Sequence, residues 1–204
     1  MLACQLAAFR SLVFPRTTAI AQSLFRWLTR RGWVVGSSQT VECTPEMPAD
    51  FFKAMSNLQA RVGLKQLGRL DRMVEHRRKM RRLYDKLLAD AGWAIAADSE
   101  DADPVLVRYP VRVRNKQELL AAAVRTRIEL GSWFDTPLHQ NEAPLEAYQY
   151  SSGMCPEAEK ACAQVVNLPL HPRVSTATAR RTVEFLTNTG LPVTTEQPPM
   201  RPIG

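Results

Sequence analysis

From Met55 to about Asp90 the chain runs without a proline, and Leu58, Val62, Leu67, Leu70, Val74, Leu83 and Leu87 recur at spacings built mostly of threes and fours. That rhythm places apolar side chains on one stripe of a helix. Ser56 is suited to the N-cap, and Gln59 three residues later gives the spacing of a capping box. Gly92 is a natural stop. At ~1.5 Å per residue such a helix reaches about 50 Å, with Gly63 and Gly68 as the places for a bend or break.

Further along the period changes to two. Val105, Val107, Tyr109, Val111 and Val113 recur at every second position, separated by Arg108, Pro110 and Arg112 with Leu106 as the exception, which predicts a half-buried strand over 104–114. Pro110 in its middle assigns that strand to an edge or a bulge. NKQELLAAAVRTR (115–127) follows as a helix with Asn115 as cap, and IELGSWF (128–134) as a short strand. PEAEKACAQ (156–164) opens with Pro156 and two glutamates, both favourable in a first helical turn. VVNLPL is a brief strand, and 175–190 a last helix between Ser175 as cap and Gly190 as stop. This order predicts an α+β domain: a long helix plus a short antiparallel or mixed sheet with helices on one side.

The flanks differ in character. Residues 1–35 mix apolar and basic residues and predict amphipathic N-terminal helices, an appendage or a remnant of something larger. Their apolar runs are broken by Arg10, Pro15, Arg16 and Arg26, short of the ~20 residues a transmembrane helix needs. Gly36, two serines and two prolines make 36–50 a linker, and the proline-rich 191–204 a disordered tail.

At 204 residues, 45% hydrophobic and 23% charged, the composition is that of an ordinary globular protein. The net charge of +7 favours anionic partners without choosing among them. In EHRRKMRRLYDK the basic residues surround a stripe of Met80, Leu83 and Leu87, so Arg77, Arg78, Lys79, Arg81 and Arg82 are expected on a solvated helix face. Specific nucleic-acid recognition would want interleaved aromatics or a known module, and neither is present. A basic nucleic-acid or membrane-surface binder is the alternative that the charge alone supports.

Candidate chemistry is sparse. Cys4, Cys43, Cys155 and Cys162 form no CxxC pair and are expected to be reduced thiols of a cytoplasmic protein. No second histidine or cysteine stands three or four residues beyond His76, His139 or His171, so no metal site is expected. GxSxG, GxxxxGK[ST] and GxGxxG are all missing. His76 is expected to face solvent from the basic helix. His139 follows Pro137 in an irregular stretch, where functional side chains concentrate. His171, between Pro169 and Pro172, belongs to a rigid corner in which the imidazole bonds locally.

MSNLQARVGLKQLGRLDRMVEHRRKMRRLYDKLL, PVLVRYPVRV, ELGSWFDTPLH and GMCPEAEKACAQVVNLPLHPRV follow one another in an order that resembles the C-terminal half of the DegT/DnrJ/StrS family, the pyridoxal-phosphate-dependent sugar aminotransferases. The resemblance covers about residues 45–190 and rests on S-x-L-Q-A, P-L-H, P-x-A-E and L-P-L-H-P in succession. It implies the small domain of a fold-type I transferase over 51–190, active as a dimer, that moves an amino group from glutamate to a keto-sugar nucleotide.

The family's chemistry needs a lysine to hold the cofactor, an acidic partner for the pyridine nitrogen and a hydroxyl-rich phosphate cup. In the family all of these precede the part matched here. The six lysines of this chain, Lys53, Lys65, Lys79, Lys86, Lys116 and Lys160, lack the family's Ser-rich, Gly-flanked context. The resemblance therefore implies a truncated or split member with no catalytic residue of its own, inactive alone, completed by a homodimer or by a missing large-domain subunit. Many members send a loop to the neighbouring subunit's cofactor phosphate with an Asn and an Arg two apart. Alignment on Ser56 and Gln59 puts Phe52 and Ala54 at those places, leaving Lys53 and Ser56 as the candidates for cofactor contact in trans. His139, in the P-L-H motif, is the candidate on the substrate side.

Overall fold

The computed structural model describes residues 54–95, 104–138 and 145–193, together with Trp27, Leu28, Arg31, Met47 and Phe52. Apart from these few positions, the helices expected over 1–35, the linker over 36–50 and most of the tail over 191–204 lie outside the described residues. The start of that tail is held in place. Leu191 N–H donates to Asn115 Oδ1 at 2.9 Å, and Pro192 bridges to Val113.

The long periodic segment forms two helices, α1 (Asn57–Leu67) and α2 (Leu70–Asp90), separated at Gly68 and Arg69. The capping box at Ser56 is formed, with both reciprocal bonds to Gln59. Only the second half of the apolar stripe is buried. Met80, Tyr84 and Leu88, one turn apart, lie in the core, with Leu83 and Leu87 packed beside them. α1 buries no residue at all, and Leu58, Leu64 and Leu67 are exposed. Periodicity marks the face a helix offers to a partner, and among the described residues nothing covers α1.

Strand β1 (Arg108–Arg112) pairs antiparallel with β2 (Val165–Pro169), in register from Arg108 opposite Pro169 to Arg112 opposite Val165. Pro110 faces Asn167. The N–H and C=O of Asn167 are committed to Gly131 on the other side of β2, both at 2.8 Å. Pro110 therefore occupies a non-hydrogen-bonded pair, where its missing N–H removes no ladder bond. The predicted strand shortens at its start, because Val105 and Val107 are exposed. The strand expected over 128–134 reduces to the single bridge at Gly131.

Between the strands come α3 (Lys116–Thr126), a 3-10 turn (Leu145–Tyr148) and α4 (Pro156–Gln164); α5 (Thr176–Thr189) follows β2. The cap of α3 is Asn115 in position only. Its Nδ2 donates to Thr189 O at 2.9 Å, so the side chain ties the start of α3 to the end of α5. On one sheet face Tyr109 and Val111 lie opposite Leu168 and Val166, and α2 packs along α5 over the same core. Leu119, Ala179, Val183 and Leu186 complete it. Full burial of each valine or leucine side chain contributes about 1.5–3 kcal/mol. Tyr84 and Tyr109 meet with ring centroids 5.3 Å apart. The described residues form an α+β domain.

The basic run on α2 is only in part the solvated face its charge suggested. Arg77 donates to Leu106 O at 3.2 Å and also to Val107 O, holding the chain as it enters β1. Arg81 is buried and pairs with Asp85 at 3.7 Å, while Asp85 also accepts the Tyr109 hydroxyl at 2.6 Å. Arg81 follows Met80 on the packed side, where the stem of an arginine covers apolar surface and its head finds a carboxylate. Lys79 is exposed, and Arg82 meets Glu75 at 3.3 Å on the surface. No helix among the described residues is long and apolar enough to cross a membrane.

Candidate functional site

Gly131–Leu138, the segment that leads to the P-L-H motif, is held by one buried amine. Lys116 Nζ lies 2.8 Å from Asp135 Oδ1, and the lysine side chain is 2% exposed. The same amine donates to Ser132 O at 3.2 Å, Phe134 O at 3.3 Å and Cys162 O at 2.6 Å. Asp135 is oriented in turn by the Ser132 hydroxyl, 2.8 Å from Oδ2. A buried ammonium is tolerated only with such a complete set of acceptors. Its position was missed in the sequence, yet there was a signal. A lysine at the first turn of a helix opposes the helix dipole and calls for a compensating anion.

The segment presents aromatic surface outward. Trp133 and Phe134 stack with centroids 4.9 Å apart and are both about half exposed. The Arg108 guanidinium lies 5.6 Å from the Trp133 ring centroid. Asn167 Nδ2 donates to Trp133 O. Gly131 permits this close approach, since a Cβ there would lie 2.7 Å from Arg108 Nη1 and 3.3 Å from Asn167 Cβ. Beside the segment, burial raises the Cys162 thiol above the usual range against the opposing charge of Lys116. That environment keeps the thiol protonated rather than reactive. At the mouth of α4, Tyr150 Oη donates to Glu159 Oε1 at 2.6 Å and Gly153 N–H donates to the same oxygen at 2.7 Å. The carboxylate pushes the phenol up to about 12, and the two donors hold Glu159 below the usual carboxylate range.

Of the residues singled out from the sequence, Lys53 and His139 lie outside the described residues. His139 follows directly on Leu138, the last position of the segment just described. Ser56 is exposed at the start of α1 with its hydroxyl engaged, accepting Gln59 N–H at 3.3 Å and lying 2.8 Å from Gln59 Oε1. Phe52 is exposed.

The other two histidines are structural. His76, expected to face solvent, is half-buried and donates from Nε2 to His171 O at 3.1 Å. Its place on α2 faces the Pro169–Pro172 corner rather than water. His171 accepts the Arg173 N–H on Nδ1 at 3.3 Å, so its Nε2 carries the proton and donates to Glu129 Oε2 at 3.0 Å. NLPLHPRV is thus a braced corner between β2 and α5, held by α2 from one side and by Glu129 from the other.

A cofactor bound through a lysine needs an amine beside a cavity. Lys65, Lys79, Lys86 and Lys160 stand exposed on helices, and Lys116 is saturated. No lysine lines the cleft formed by Arg127, Ile128, His171 and Val174, nor the neighbouring one at Thr126, Phe185 and Asn188. The described residues do not fit covalent attachment of pyridoxal phosphate. Among them no group of three or more His, Cys, Asp or Glu side chains could hold a metal ion.

A model of the DegT/DnrJ/EryC1/StrS aminotransferase family matches residues 24–187. The chain is 28% identical over 133 residues to the "Pleiotropic regulatory protein" of Geobacillus stearothermophilus, a match spanning 64% of this chain and 36% of that protein. It is 25% identical over 134 residues to the UDP-2-acetamido-2-deoxy-3-oxo-D-glucuronate aminotransferase of Pseudomonas aeruginosa, spanning 66% and 36%. Among solved structures, S. venezuelae DesV in complex with a ketimine intermediate superposes with a TM-score of 0.56 at 23% identity, covering 70% of this chain and 40% of that one. A DegT DnrJ EryC1 StrS aminotransferase from Brucella abortus gives 0.54 at 23% identity, covering 70% and 39%. These two share the fold. The chain spans little more than a third of the length of the curated relatives it matches.

Proposed function

We propose, for a chain that belongs to the DegT/DnrJ/EryC1/StrS aminotransferase family, that residues 51–190 are the small domain of a pyridoxal-phosphate-dependent sugar aminotransferase. They supply walls of its site and not its reacting amine. The observation that carries this reading is Lys116, the one buried lysine among the described residues, whose amine is fully engaged by Asp135 and three carbonyls. A nucleophilic amine must be free to attack a carbonyl, and an amine in that environment is a strut. Amino transfer from glutamate to a keto-sugar nucleotide then needs a lysine-bearing large domain, as a homodimer's full-length protomers or a separate subunit would provide. The amphipathic segment 1–35 is an appendage or remnant, and the assembly is cytoplasmic.

Within that assembly this chain's residues bind and orient. Lys53 and Ser56, before and at the start of α1, contact the cofactor side in trans. His139 contacts the substrate. Trp133 and Phe134, just before it, offer an apolar stacking face that excludes water. A second reading, a non-catalytic partner subunit of a split aminotransferase, is favoured by α1. Its Leu58, Leu64 and Leu67, continued by Leu70, are exposed on a helix that buries nothing.

Affinity capture of the tagged chain from its native host, followed by an amino-transfer assay with glutamate and a keto-sugar nucleotide, tests both readings. The expected result is activity only in fractions that also contain a family subunit with a Schiff-base lysine. Turnover by the chain alone contradicts them.

A further inference from the structure

We propose that α1 and the first turn of α2 dock onto a separate lysine-bearing subunit, through an apolar surface on that subunit rimmed by carboxylates. The inference rests on the reading of this chain as one part of a split aminotransferase, and adds where and by what chemistry the two parts meet. Leu64 and Leu67 on α1 are 69% and 64% exposed, and Leu70 at the start of α2 is 46% exposed. Residues three apart are neighbours on a helix surface, so Leu64 and Leu67 form one patch, which Leu70 continues across the break at Gly68 and Arg69. α1 has 11 residues and buries none of them. A helix shorter than ~12–15 residues is marginal in water when nothing packs on it, and its leucine face calls for a partner.

The charges set the chemistry of that partner. Arg61 and Lys65 are the only ionisable side chains of α1, and Arg69 and Arg72 follow it. Among the described residues none of these four side chains makes an ion pair or a hydrogen bond. Between Asn57 and Val74 the one acid is Asp71. The next acid, Glu75, is taken by Arg82 at 3.3 Å. A second copy of α1 would set like charges against one another, whereas carboxylates around an apolar patch complement them. Ala60 and Gly63 stand one turn before Leu64 and Leu67, and a Cβ at Gly63 would meet nothing within 4 Å. Hollows beside large side chains are filled by a shaped protein surface packed to interior density; fluid acyl chains do not match them.

Affinity capture from the native host with three tagged forms of the full chain is the test: the parent, the Leu64→Asp, Leu67→Asp pair and the Arg61→Glu, Lys65→Glu pair. Both pairs lie on a helix that buries nothing, so the unfolding midpoint should stay in place and is measured alongside. The parent should retain a family subunit with a Schiff-base lysine, and each variant about ten-fold less of it or lower still. Retention by the parent should fall as salt rises, and carbodiimide should join Lys65 to an aspartate or glutamate of the retained subunit, located by mass spectrometry. Equal retention by all three forms overturns the inference and leaves the split-enzyme reading standing. Failure of the parent to retain any such subunit overturns both. Sedimentation of the purified parent with phosphatidylglycerol vesicles, lost in both variants and with no subunit retained, would assign α1 to a lipid surface and overturn the inference.

Discussion

Lys116 and Asp135 close a loop of the chain around a buried charge, with Nζ and Oδ1 2.8 Å apart and the lysine side chain 2% exposed. The pair anchors the stretch that carries Trp133 and Phe134 onto α3, and through Cys162 O onto α4. One amine thereby positions three elements, and it does so because every acceptor around it is engaged.

Lys116→Met should destabilise the domain by about 3 kcal/mol, since it leaves Asp135 and three carbonyls without their donor. Adding Asp135→Asn should recover part of that loss. Urea denaturation of the two single variants and the double variant measures the coupling. Additive effects would mean that the contact does not bind the two residues together.

Gly190 and Gly131 both admit close approach, with different neighbours. A Cβ at Gly190 would lie 2.7 Å from Leu186 O and 3.0 Å from Trp93 Cη2, both parts of the packed core. At Gly131 the nearest atom is the end of the flexible Arg108 side chain. Gly190→Ala is expected to cost about 2 kcal/mol or more and Gly131→Ala clearly less. Thermal denaturation ranks them, and the opposite order would contradict the packing described.

The two serine caps should separate the cooperative core from α1. Ser175→Ala removes the cap of a helix that buries Ala179, Val183 and Leu186, and should lower unfolding free energy by about 1 kcal/mol. Ser56→Ala removes an equivalent cap from a helix with no buried residue. It should reduce helical circular dichroism slightly and leave the unfolding midpoint in place. A shift in that midpoint would show that α1 is coupled to the core.

Most of the element order was legible because periodicity and punctuation agreed: Ser56 and Ser175 cap, Gly68 interrupts, Gly92 and Gly190 end helices, and Pro110 marks an edge. What could not be read was which charges the fold takes in. Arg77 and His76 look like surface residues in one dimension, since their partners Val107 O and His171 O are set by tertiary packing. Arg81 pairs with Asp85 one turn along the same helix, and only its burial is set by the tertiary fold. The strand expected from IELGSWF failed for a related reason. Gly131 pairs with Asn167, and beyond it the carbonyls of Ser132, Trp133 and Phe134 are taken by the Lys116 and Asn167 side chains, so one bridge forms. Of the candidate site, the family resemblance located the P-L-H segment, and the lysine that anchors it was hidden by its position at a helix start.

The Tyr150–Glu159 bond predicts a pH signature. Tyr150 is raised from 10.0 to about 12, chiefly by its bond to Glu159, so its contribution is complete below the ordinary tyrosine range and is lost as pH rises through about 12. Glu159 is lowered, so its contribution is present above the ordinary carboxylate range and is lost as pH falls through its reduced value. The stability difference between the parent chain and Tyr150→Phe should be constant at neutral pH and shrink on both sides. Urea midpoints across pH measure it, and a difference that never changes would contradict the assignment.

The most direct measurement is made on the purified chain mixed with one equivalent of pyridoxal phosphate, reduced with borohydride and weighed intact by mass spectrometry. No yellow Schiff-base colour and an unmodified mass are expected. A single reduced pyridoxyl group fixed on one lysine at full occupancy would contradict this expectation.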